Sequence, residues 1–201
     1  MARMSEIDRF RTVWNMEAEN TIRLLEALPA DKYDFRPDPK GRSMGEMAWH
    51  LSEIEGYTSL GVARGGVTFE EAPPNMQRPR EIRMLAPGYR RVHDEAVARL
   101  AGLTEEQLDR EIPFADRKLA IRDALWGGIL LHLVHHRGQL TTYIRPMGGK
   151  VPGVYVLRPT TLERLNPECA ECKNGNYQKI TPMDAIHELL RNPGIACRSS
   201  P

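Results

Sequence analysis

Apolar residues recur along this chain at steps of three and four, the spacing that lines one face of a helix. Ile7, Phe10, Val13, Trp14, Leu24, Leu25 and Leu28, with Glu17 and Thr21 on the same stripe, follow the capping residue Ser5. They predict a long amphipathic helix ending before Pro29. Ser43-Met44-Gly45-Glu46 is a capping box and opens a second helix running to about Arg64. Leu85, Tyr89, Val92, Ala96 and Leu100 place a third over roughly 78–101. Pro87 then demands either a later start, with Pro87 in the first turn, or a kink. Thr104 caps a short helical turn that Ile112-Pro113-Phe114 breaks, and a last helix spans Ile121 to Met147 before Gly148-Gly149. Its expected inward stripe is Leu125, Ile129, His132, His136, Leu140, Tyr143 and Met147. No strong two-residue alternation competes, so the expected fold class is an all-α bundle of four long helices over 1–157, with Val151–Leu157 a short extended piece. Residues 158–201 form a C-terminal extension of different texture, holding Cys169, Cys172 and Cys197.

Composition narrows the class of protein. The 201 residues carry 28 basic and 27 acidic side chains, a net charge of +1, with 41% hydrophobic residues. Such a chain can bury a core unaided and has no global field to attract nucleic acid or an anionic membrane. No apolar run approaches the roughly 18 residues of a membrane span, and the first residues hold no apolar signal core. Three cysteines are too few and too clustered for a disulfide framework. The expected location is therefore the cytoplasm, with no membrane and no nucleic acid among the partners.

Three of the six histidines fall between His132 and His136. Residues four apart share a helix face, so His132 and His136 can aim both imidazoles at one point, a metal-ligand spacing. Two neighbouring imidazoles on a core stripe need a shared partner, which a divalent cation supplies and which carbonyls or water also supply. His135 lies off that stripe, so a supporting or surface role is expected. A third ligand must come from another helix, and His50, between Met47 and Ile54, is better placed than His93. Gln139 is expected to orient a ligand or water, and Arg137 to anchor the helix through a carboxylate. Gly127 and Gly128 make room for close packing or for substrate; Trp49, Tyr57, Trp126 and Tyr143 read as core or pocket walls.

The segment S-M-G-E-M-A-W-H-L, paired with H-L-V-H-H-R-G-Q-L and T-T-Y-I-R-P-M-G-G-K-V-P-G-V-Y, resembles the DinB-like family over about 1–157. The resemblance implies an up-down-down-up four-helix bundle, often a homodimer, in which three histidines hold a divalent ion. Those histidines fall on His50, His132 and His136. Three neutral imidazoles without a protein carboxylate leave coordination positions open, the arrangement of a catalytic site. Imidazole does not choose among zinc, nickel, iron, cobalt and manganese. Some groups resembling this bundle are thiol-dependent transferases or isomerases, so the expected function is a metalloenzyme using a low-molecular-weight thiol on a small-molecule substrate. The alternatives are a metal-dependent hydrolase and a non-catalytic, stress-related metal-binding module.

Two further features stand apart. Cys169, Cys172, His187 and Cys197 have the residue types of a structural zinc site, although their spacing is irregular. Arg78, Arg80, Arg83, Arg90 and Arg91 form a basic stretch, read as a solvated face or as a wall attracting an anionic substrate.

Overall fold

Capping chemistry sets the helix starts. The computed structural model describes residues 4–155, and the division at Pro152/Gly153 separates the unit considered below from the one that follows. The Ser5 side chain accepts from the Asp8 N–H at the head of α1 (Glu6–Glu26). At the head of α2 (Met44–Arg64) the expected box is complete: Ser43 Oγ accepts from the Glu46 N–H at 3.2 Å and Glu46 accepts from the Ser43 N–H at 2.8 Å. Gly65, at φ 85°, ends α2 in the left-handed conformation that glycine tolerates. The third helix, α3 (Leu85–Arg99), begins only after a 3-10 turn at Ile82–Met84. Pro87 therefore occupies its first turn, where no intrahelical donor is lost.

The expected break around Ile112 is a β-hairpin instead. Strand β1 (Glu111–Phe114) pairs antiparallel with β2 (Arg117–Ala120), bringing Ile112 opposite Leu119. Its turn places Ala115 at φ 53°, and Val67 joins the edge through bonds to Pro113 and Ala115. The chain then enters a continuous helical rod: one α turn, α4 (Ile121–Asp123), a π-helical stretch (Ala124–Leu131), α5 (His132–Ile144) and a 3-10 turn (Arg145–Met147) ending at left-handed Gly148.

Side-chain contacts give the helix directions. Glu55 meets Tyr89 and His93, and Ser59 meets Arg99, so α2 and α3 run parallel. Arg90 pairs with Glu19 and His93 with Asn15, so α1 and α3 are antiparallel. Trp126 reaches Glu6 while Arg137 reaches Glu17, so the rod runs with α1. The result is an all-α, up-down-down-up four-helix bundle carrying one small hairpin.

One stripe differs from expectation. The buried stripe that runs the length of the rod is Leu125, Ile129, Leu133, Arg137, Leu140 and Ile144, with Ile121, Ala124 and Leu130 buried beside it. The π stretch, with more residues per turn, makes the buried positions step by four through Arg137. The inward face thus passes to Leu133 and Arg137, while His132 is exposed and His136 half-buried beside the core.

Candidate metal centre

α2 and the rod meet in an antiparallel seam, and His50, from α2, faces His132 and His136 across it. The ring centroids of His50 lie 5.7 Å from His132 and 4.8 Å from His136, and the latter two are 4.7 Å apart. One nitrogen from each ring falls within 4.8 Å of the others, close enough for the three to hold one metal ion. The histidines are thus brought together, but at the rim of the bundle rather than in its core.

What lies behind each ring matters as much. His50 Nδ1 contacts the Glu53 carboxylate at 2.9 Å, one turn along α2. His136 Nδ1 contacts Gln139 Oε1 at 2.7 Å, and His132 has a hydrogen bond to the backbone of Gly128. When Nδ1–H donates to such an acceptor, Nε2 keeps its lone pair for a ligand, and the ring cannot swing away. The Nε2 atoms of His132 and His136 are already 2.9 Å apart. Gln139 Nε2 also reaches His135 at 3.1 Å, so His135 contacts the residue that stands behind His136.

Partial desolvation against the seam lowers the pKa of His132 although its outer edge is open to solvent, with the neighbouring His50 adding to the effect. Burial pushes His136 down to about 4, against the opposing hydrogen bond that its ring donates to Gln139 Oε1. Both imidazoles are therefore neutral near pH 7, the form that binds metal.

His93 is excluded from this centre and is not at an edge. It is 7% exposed, with Nδ1 2.8 Å from Glu55 and Nε2 3.0 Å from Asn15. Arg137 does meet a carboxylate: it pairs with buried Glu17 and donates to the Glu17 carbonyl at 2.9 Å and to Thr21 Oγ1 at 3.3 Å. The hydroxyl of Tyr89 contacts Glu55 and Thr21, completing a polar chain through all four helices that periodicity alone did not reveal. Glu17 and Thr21 falling on an otherwise apolar stripe were its signal.

The other expected residues divide plainly. Trp49 is core, Trp126 donates to Glu6 at 3.2 Å, Tyr57 lies tilted against Phe69, and the Tyr143 hydroxyl donates to the Arg42 carbonyl at 3.2 Å. A Cβ on Gly128 would come 3.2 Å from Phe114, so this glycine permits close packing, whereas Gly127 faces open space. In the basic stretch, Arg78 pairs with Glu46, Arg83 with Glu81, Arg90 with Glu19 and Arg91 with Glu95. Cys169, Cys172, His187 and Cys197 lie outside the described residues. No described helix is long and apolar enough to cross a membrane.

Known proteins carry the same plan. The chain is 33% identical to the uncharacterised protein YjoA of Bacillus subtilis over 135 residues, 64% of this chain and 82% of that one. It is 26% identical to the uncharacterised YrdA of the same organism over 150 residues, 74% and 87% of the respective lengths. Among solved structures, a DinB-like protein from Bacillus cereus superposes with a TM-score of 0.62 at 29% identity, covering 73% of this chain and 95% of the other. The structure of YjoA gives 0.59 at 28% identity, with coverage of 73% and 96%. The model of the DinB superfamily matches residues 14–140, which include all three seam histidines, and the chain belongs to that superfamily.

Proposed function

We propose that this chain is a divalent-metal-dependent enzyme whose ion is held by His50, His132 and His136, and that it activates a small thiol for transfer to, or isomerisation of, a small-molecule substrate. The observation that carries the metal reading is the convergence of three imidazoles, each with a hydrogen-bonding partner behind it, on the open side of a seam. A structural ion would be enclosed by four protein ligands; three on an exposed rim leave room for an exchangeable one. The thiol rests on the family resemblance together with the affinity of soft ligands for such ions.

When bound, the ion supplies Lewis acidity, which favours a deprotonated thiol or water at neutral pH. The chain's own groups do the rest. Glu53 and Gln139 hold His50 and His136 in the orientation that presents Nε2. Arg137, clamped to Glu17, fixes the phase of α5 and with it the direction of His136. The open side of His132 admits substrate. The family's homodimer belongs to the same reading.

Elemental analysis of purified protein exposed to each divalent metal tests the ligand set. One ion per chain in the wild type, lost in His50→Ala and unchanged in Cys169→Ala, is expected; retention in His50→Ala would sink it. A second ion lost only in Cys169→Ala would establish a zinc site in the tail. Conjugation of small thiols to a panel of electrophiles by the loaded wild type, but not by His132→Ala, tests the reaction. Ester or amide cleavage in its place would favour the hydrolase.

A further inference from the structure

Along the seam, residue numbers on α2 and the rod run in opposite directions at a nearly constant sum. Tyr143 donates to the Arg42 carbonyl at one end, His50 faces His136 in the middle, and a Cβ on Gly128 would lie 3.5 Å from Thr58 at the other. At about 1.5 Å per residue, Arg42 stands roughly 12 Å along the axis from His50. Its main chain is pinned by the Tyr143 bond and by the fully buried cap Ser43 that follows.

The charges around it are unevenly matched. Glu46 takes Arg36 at 2.7 Å and Arg78 at 3.7 Å, and the Arg36 hydrogen bond holds its carboxyl down at about 2. Arg42 is exposed, and among the described residues no carboxylate pairs with its guanidinium. Its charge bears on His132 and on Tyr143, where Asp38 acts in opposition. Arg42 is thus a cation without a carboxylate partner among the described residues, and its charge is felt at His132 of the three-histidine cluster.

We propose that Arg42 anchors an anionic group, a carboxylate or a phosphate, of the molecule that occupies the open side of the His50, His132 and His136 site. This rests on the metal reading above but not on the choice between thiol transfer and hydrolysis. A planar guanidinium offers two parallel N–H donors to such an anion, and an anchored main chain lowers the ordering cost. Together with a bound ion it makes two positive poles, selecting a ligand with a donor atom at one end and an anion at the other.

The test loads the full chain with cobalt(II) and follows its visible spectrum during titration with a series of thiols from mercaptoacetate to mercaptohexanoate, each beside its carboxamide. At one or more spacer lengths the carboxylate is expected to bind about three- to tenfold more tightly than the amide, an advantage that added salt reduces. Arg42→Gln should abolish that advantage and leave amide affinities unchanged; Arg42→Lys should retain part of it. Equal preferences in wild type and Arg42→Gln at every length, including none in either, would overturn the proposal while the metal reading stands. A chain that takes up no cobalt would overturn both.

Discussion

His93 and the seam histidines lie in one bundle yet are placed for opposite purposes. His93 has both ring nitrogens occupied, by Glu55 and Asn15, is stacked near Tyr89 and meets the Trp14 ring edge-on at 4.9 Å. His50 and His136 have Nδ1 engaged by a side chain on the next turn of their own helix, which leaves Nε2 turned toward the shared opening. A buried ring with every polar atom satisfied belongs to the scaffold; a rim ring with one nitrogen held behind it is prepared for a ligand. Which setting a histidine occupies follows from the residue opposite it, not from its own identity.

Perturbing the interior should cost stability first, and at His93 it should leave metal binding nearly untouched. The largest effect is expected for Arg137→Met, which takes the cation away from Glu17, 4% exposed. Removing one member of a buried pair typically costs about 3–5 kcal/mol. Urea denaturation of chelator-treated protein measures it, and a loss below about 1 kcal/mol would show that Glu17 finds water instead. His93→Ala comes next. It opens a cavity, takes the ring away from Asn15 and leaves Glu55 with Tyr89 but without His93, for an expected loss of about 2–4 kcal/mol. Metal content of the folded fraction should stay at the wild-type value; a lost ion would dissolve the distinction between the two settings.

Much of this division was legible beforehand, and the misplaced parts share a cause. Ser43 and Glu46 announced α2 because both halves of a capping box lie within four residues. The 50/132/136 set was legible because two of its members are four apart on one helix. The depth of His132 and His136 was misjudged because an α-helical period was carried through Ala124–Leu131, where the backbone is π-helical and the inward stripe advances to Leu133 and Arg137. The hairpin escaped notice because its strands are four residues each, Pro113 interrupts the first, and the turn puts an alanine rather than a glycine at positive φ. The burial of His93 depends on Glu55 and Asn15, 38 and 78 residues away, which no local pattern encodes.

On the seam side the order of effects reverses, with affinity responding more than stability. Gln139→Ala removes the acceptor behind His136 and the link to His135, and Glu53→Ala removes the acceptor behind His50. Each should weaken metal binding about 10- to 100-fold, equivalent to roughly 1.4–2.7 kcal/mol, while leaving the urea midpoint of the metal-free protein almost unchanged. Competition with a chromophoric chelator measures the affinity. Equal affinity in all three proteins would mean that the rings are held by packing alone, and the hydrogen bonds behind them would lose their assigned role.

The smallest effect separates the settings by pH. His136 goes from 6.5 in an unfolded chain to about 4 in the folded one, chiefly through burial. Between those values the unfolded state binds more protons than the folded state, so stability rises with pH. Read downward, the metal-free protein loses this contribution as pH falls from about 6.5 through about 4. His136 remains partly open to water, which holds the effect below about 1 kcal/mol. His136→Gln lacks that titration. The difference in melting temperature between it and the wild type, both chelator-treated, should therefore shift against the wild type between pH 7.5 and about 4.5. Subtracting the two curves cancels most of the carboxylates that titrate in the same range. A difference independent of pH would mean that His136 is fully hydrated without metal, and the seam would then have to be assembled by the ion rather than waiting for it.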